Sequence, residues 1–142
     1  MKKVIFACVQ SAGRSQMAAA FFNVMADPAK AVAISAGTQP GERVHPEVIA
    51  VMREVGIDLS AARPRKLTPE VAEGASVLVT MGCAEECPVI PGARREDWLL
   101  PDPNGRPLSA VRNIRDEIKR RVTVLVSSEA WGSQSRTTKS ST

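Results

Sequence analysis

The chain has 142 residues, a formal net charge of +4, 44% hydrophobic and 24% charged residues, three cysteines and no tyrosine. That is enough for one domain with a real core, and no apolar run approaches the ~20 residues of a membrane span. Scarce aromatics argue against base stacking and so against nucleic acid, and three cysteines do not make a disulfide framework.

Lys3 to Val9, apolar from Val4 on, reads as a first strand buried on both faces. Lys2 and Lys3 ahead of it faintly resemble a signal peptide, but the apolar part is too short, so a cytoplasmic protein is expected. Ser15 to Ala26 reads as a helix with Met17, Phe21, Val24 and Met25 on its inner face. Between them lies Cys8-Val9-Gln10-Ser11-Ala12-Gly13-Arg14-Ser15. A tight loop there turns its backbone N–H groups inward, and the helix N-terminus adds positive potential. Arg14 offers a planar fork for two anion oxygens. The same field favours the nucleophilic thiolate of Cys8. The stretch therefore reads as a cradle for a tetrahedral oxyanion with sulfur at its base.

Ala31 to Ala36 reads as a second strand closed by Gly37. His45-Pro46 opens a helix with Val48, Ile49, Met52 and Val55 inward and Gly56 past its end. Ile57 to Leu67 is a polar, basic connection. Thr68 is placed to cap a short helix with Pro69 at its first position. Ala75 to Thr80 is a third strand. Met81 to Asp97 reads as a long loop carrying Cys83 and Cys87, and such loops are usually functional. Trp98 to Leu100 is expected as a short fourth strand, followed by the turn Asp102-Pro103-Asn104-Gly105. Ser109 to Val126 is the last helix, with Val111, Ile114, Ile118, Val122 and Leu125 inward and Arg112, Arg115, Lys119 and Arg120 mostly outward. Residues 1–127 are expected to form a single catalytic domain. Ser127 to Thr142 lacks apolar periodicity and is expected to be a frayed tail.

Alternating strands and helices imply an α/β domain with a parallel sheet, whose ligands bind at the carboxyl ends of the strands. Cys8, the loop after Thr80 and the turn after Leu100 all lie there. Asp102 on that rim can protonate a leaving oxygen. Cysteine, arginine and aspartate suffice for phosphomonoester hydrolysis. The extra thiols point elsewhere: reducing arsenate, nearly isosteric with phosphate, takes two electrons, which two thiols supply by forming one disulfide. A second thiol must reach the nucleophile from a flexible segment, which the loop carrying Cys83 and Cys87 fits, and a third thiol allows the disulfide to be moved outward; the alternative is that both are inert loop cysteines. Zinc on the three cysteines and His45 is a weaker reading, because the spacing has no second close pair. His45 is read as a residue preceding a helix.

Cys8 to Arg14 followed by Ser15-Gln16-Met17-Ala18 resembles the phosphate loop of arsenate reductases that share the low-molecular-weight tyrosine phosphatase fold. Ser35-Ala36-Gly37, His45-Pro46, Val79-Thr80-Met81, Cys87-Pro88, Trp98, Asp102-Pro103 and Arg115-Asp116-Glu117-Ile118 are similar to that family in the same order. The resemblance implies a three-layer sandwich with a four-stranded parallel sheet of order 2-1-3-4. It implies that Cys8 attacks arsenic, that Arg14 and the loop amides hold the oxyanion, and that Ser15 stabilises the thiolate while Asp102 protonates the departing oxygen. Cys83 then attacks the Cys8 sulfur, and Cys87 takes over the disulfide, which thioredoxin reduces. Gly82-Cys83 with Cys87-Pro88 also resembles relatives that use mycothiol and mycoredoxin, where the two cysteines are dispensable. Phosphate or sulfate would mimic arsenate, and a monomer without bound cofactor or metal is expected. Family loops usually carry asparagine where Ser11 stands, and Ala19 occupies a helix position that is acidic in potassium-binding relatives, so no potassium site is expected. A low-molecular-weight phosphotyrosine phosphatase is the alternative enzyme, although no tyrosine follows Asp102-Pro103; a non-catalytic oxyanion-binding module is the other alternative.

Overall fold

The computed structural model describes residues 1–82 and 89–132. Four strands, β1 (Lys2–Cys8), β2 (Ala31–Gly37), β3 (Val77–Thr80) and β4 (Arg94–Asp97), form one sheet in the order β2-β1-β3-β4. All three pairings are parallel. The helices are α1 (Arg14–Met25), α2 (Pro46–Arg53), α3 (Pro69–Ala72) and α4 (Leu108–Ser128). No helix among the described residues is long and apolar enough to cross a membrane.

Strand alternation divides the core. Val4, Phe6 and Cys8 of β1 face the layer of α1, α2 and α4, with Met17, Phe22, Met52 and Ile118 fully buried against them. Ile5 and Ala7 face the other way, onto Leu67, Ala72 and Ala75 around α3. Both faces of β1 are covered, which is why its sequence is continuously apolar. Each large side chain buried here contributes roughly 1.5–3 kcal/mol. Thr68 caps α3 as expected, its Oγ1 accepting from Val71 N at 3.1 Å.

Five expectations are corrected. The fourth strand is Arg94–Asp97, not Trp98 to Leu100. It is an edge strand whose one strand partner is β3, with mostly exposed charged side chains that discourage further strand addition; Thr80 Oγ1 also donates to Asp97, and Arg94 Nη2 to Glu129 Oε2 at 3.0 Å. An apolar pattern therefore could not find it. Trp98 follows it, its backbone N–H still donating to Thr80 O at 2.8 Å, and its ring packs on Phe6, centroids 5.7 Å apart, while Leu99 is exposed. Val24 of α1 points to solvent, because the buried face of that helix runs through Met17, Phe21 and Phe22. Val55 is likewise exposed beyond the end of α2, where Val51 takes an inner position. Arg115 is buried rather than outward: Nη1 donates to Val51 O and Glu54 Oε1, both at 2.9 Å, and Nε to Asp116 Oδ1 at 2.8 Å. These bonds satisfy a guanidinium that would otherwise be costly to bury. Finally, the stretch after 127 is not frayed from its start. α4 runs to Ser128, and Trp131 is buried with its ring 5.8 Å from Phe22 in an edge-to-face contact. Residues 133–142 lie outside the described residues.

Candidate active site

The register brings three carboxyl ends level. Cys8 pairs with Gly37, and Ala7 with Thr80. The chain then leaves β1 through residues 9–13 and enters α1 at Arg14. The loop is pinned from outside through its carbonyls. Thr38 N donates to Cys8 O, Gln39 N to Val9 O, Gly41 N to Gln10 O, His45 N to Ala12 O and Met17 N to Gly13 O. Gln16 Nε2 takes Ser11 O at 2.9 Å. With the carbonyls turned outward, the N–H groups of residues 9–13 find no acceptor among the described residues. A ring of unsatisfied donors at a helix start is an anion site. Gly37 makes the packing possible: a Cβ there would stand 2.5 Å from Val9 O and 2.8 Å from Ser11 N.

Cys8, Val9, Gln10, Gly13, Arg14, His45 and Asp102 line a cavity of about 160 Å³. That volume holds one small oxyanion. Arg14 Nη1 donates to Leu100 O at 2.8 Å, whereas its Nε is buried without a hydrogen-bond partner among the described residues. A buried N–H without an acceptor is costly and rare, and here it lies on the residue expected to hold the anion. Asp102 is exposed at the cavity rim. Its Oδ1 accepts from Asn104 N at 3.0 Å, and its carbonyl from Arg106 Nε at 2.6 Å, so the turn is ordered by its own residues. Glu47 Oε2, from the first turn of α2, accepts from Gly105 N at 2.9 Å and ties the turn to that helix. Hydrogen bonds from backbone amides, its own first and Gly105 next, hold the Glu47 carboxyl below the usual carboxylate range.

Ser11, Ala12 and Ser15 are buried behind the cavity wall. Ser15 Oγ lies 2.9 Å from Cys8 Sγ and 2.6 Å from Ser35 Oγ, and Ser35 Oγ lies 2.7 Å from Ser11 Oγ. Ser11 has a φ of 53°, the left-handed region that asparagine tolerates better than serine. Ser11 Oγ also accepts from Arg65 N at 3.3 Å and lies 3.4 Å from Gln16 Nε2. Cys83 and Cys87 fall outside the described residues.

Sequence reasoning missed the place of His45. It is the N-cap residue of α2, as a residue before Pro46 should be, but it also lines the cavity beside Gly13. A Cβ on Gly13 would meet Pro103 Cγ at 2.9 Å and His45 Cδ2 at 3.3 Å, so the missing side chain lets both walls close on the loop. Gln16 and Arg65 were also missed as supports of Ser11. The available signal was a glutamine directly before the apolar run of α1, at the start of the helix that follows the loop.

The model of the low molecular weight phosphotyrosine protein phosphatase family matches residues 3–135. A Halobacterium salinarum protein provisionally named an arsenate reductase is 41% identical over 121 residues, covering 82% of this chain and 85% of its own length. A Synechocystis protein named a glutaredoxin arsenate reductase is 36% identical, covering 89% and 97%. The structure of a thioredoxin-dependent arsenate reductase from Corynebacterium glutamicum superposes with a TM-score of 0.78 at 35% identity, covering 90% of this chain. This chain spans only 61% of that longer one.

Proposed function

The chain belongs to the low molecular weight phosphotyrosine protein phosphatase family, and on that premise we propose that it is an oxidoreductase that reduces arsenate to arsenite. The observation that carries the reading is the shared cavity: Cys8, Arg14 and Asp102 line one small space beside unsatisfied backbone donors.

In this reading the loop amides and the free edge of Arg14 bind the oxyanion and neutralise its charge. The Cys8 thiolate attacks arsenic, a sulfur–arsenic bond forms, and an arsenic–oxygen bond breaks. Asp102 gives its proton to the departing oxygen, which leaves as water. Cys83 then attacks the Cys8 sulfur. A sulfur–sulfur bond forms, the sulfur–arsenic pair of electrons goes to arsenic, and arsenite departs. Cys87 attacks Cys83, which frees the Cys8 thiolate and leaves a Cys83–Cys87 disulfide. An external thiol reductant restores both thiols. Thioredoxin is our first choice; glutaredoxin and mycothiol with mycoredoxin are the competing couples.

The test follows arsenate-dependent NADPH oxidation with each reductant system in turn. Cys8→Ser should be inactive with every one. Cys83→Ser and Cys87→Ser should lose thioredoxin-coupled turnover; full activity in either would sink the three-thiol relay. The same cavity suits phosphoryl transfer, so fast turnover of aryl phosphates without any arsenate-dependent oxidation would establish a phosphatase instead.

A further inference from the structure

Arg14 is gripped by backbone on two sides. On one, Leu100 O takes Nη1 at 2.8 Å. On the other lies Gly82, whose α-carbon faces the guanidinium directly. A Cβ built on Gly82 would stand 2.5 Å from Nη1, 2.8 Å from Cζ and 2.9 Å from Nη2 of Arg14. Real Cβ atoms essentially never show such distances, so a side chain at 82 would push the Arg14 guanidinium out of its place. Gly82 also has a φ of +113°, a conformation that L side chains rarely adopt. Its position is not free to relax on the N-terminal side. Met81 is fully buried and its N–H donates to Ala7 O at 2.7 Å, continuing the ladder between β1 and β3.

We propose that Gly82 is a positioning residue that sets oxyanion affinity through Arg14. With Nη1 anchored on Leu100 O and the guanidinium face seated on Gly82, the edge formed by Nε and Nη2 is the one left for an anion. Nε is the atom that is buried without a partner among the described residues. A bidentate bond needs that edge held in one orientation, and a bare α-carbon lets the backbone approach the guanidinium face closely enough to help hold it. Position 82 immediately precedes Cys83, so one residue links the segment carrying the expected second thiol to the group that holds the substrate. The proposal rests on the oxyanion-binding part of the reading above, not on its reduction steps.

The experiment is a double-mutant cycle on the full chain, read by binding of inorganic phosphate and by the thermal midpoint of the unliganded protein. Gly82→Ala should weaken phosphate about tenfold or more in the wild-type background, the size expected when a bidentate pair is misaligned. In the Arg14→Lys background the same change should alter phosphate affinity by less than about twofold, because contacting residues couple and the flexible ammonium presents no plane to displace. An unchanged affinity in Gly82→Ala overturns the proposal. So does an equal loss in both backgrounds, which would assign the effect to backbone strain at 82. If Gly82→Ala alone does not fold, folding of the double variant supports the clash with Arg14, and failure of both overturns it. Wild-type protein that binds phosphate but never turns over arsenate would overturn the reductase reading and leave the role of Gly82 standing.

Discussion

The hydroxyl of Ser15 lies 2.9 Å from the sulfur of Cys8, with both residues buried. Ser15 Oγ also lies 2.6 Å from Ser35 Oγ, and Ser35 Oγ lies 2.7 Å from Ser11 Oγ, which accepts from Arg65 N at 3.3 Å. A buried row of hydroxyls thus ends on the sulfur, and a hydroxyl can turn its proton toward a thiolate when one forms.

Ser35→Ala should therefore slow the chemical step without emptying the cavity. The expected loss in kcat is about tenfold, near the value of one hydrogen bond to a charged group, with phosphate affinity little changed. Steady-state kinetics with phosphate as competitive inhibitor separate the two.

Ser11 reverses the usual order of alanine and glycine. At a φ of 53° its Cβ is strained, and its Oγ bonds to Ser35. Both Ser11→Ala and Ser11→Gly lose the hydroxyl, but only glycine relieves the backbone. Ser11→Gly should be the more stable of the two by about 1 kcal/mol, measured by urea denaturation. A more stable alanine variant would remove the strain argument.

Glu47 should act on Asp102 through the turn between them. Glu47→Ala frees Gly105 N and should lower kcat severalfold while leaving phosphate binding in place, because the anion loop is pinned by other bonds. The brace has a defined pH dependence. Its folded-state pKa is depressed, so its contribution is complete above the unfolded carboxylate value and is lost as the pH falls through the lowered one. The difference in stability between wild type and Glu47→Ala should accordingly shrink on acidification.

Arg115 and Trp131 should behave as core residues although one is charged and the other follows the last helix. Arg115→Ala leaves Val51 O without its side-chain donor and Glu54 with one partner fewer, and should cost roughly 2–4 kcal/mol. Trp131→Ala removes the ring packed on Phe22 and should cost roughly 2–4 kcal/mol. Calorimetric unfolding of each variant tests both values; a change below about 1 kcal/mol for Trp131→Ala would show that its contact with Phe22 is dispensable.

Local pattern was enough to read the order of elements, the loop from Cys8 to Ser15 between a strand and a helix, and the cap at Thr68. Each depends on neighbours within a few residues, where period and turn chemistry act. The carboxyl-end rule then brought Asp102 to the same rim as Cys8. What folding decided was everything whose partner lies far along the chain. β4 is made by pairing Val77 with Arg94, and no apolar signal in Arg94–Asp97 announces an edge strand. Arg115 looks solvent-facing by its charge until Val51 O is set opposite it. Ser11 is one residue in a turn until Ser35, Arg65 and Gln16 meet on its hydroxyl. His45 precedes a helix in sequence and walls a cavity in space. Gly82 reads as a spacer before Cys83, yet its missing side chain is what lets Arg14 lie flat against the backbone. Sequence alone determined which chemical groups the site could use; tertiary contact decided how they are oriented, because orientation is set by packing between segments that local periodicity does not connect.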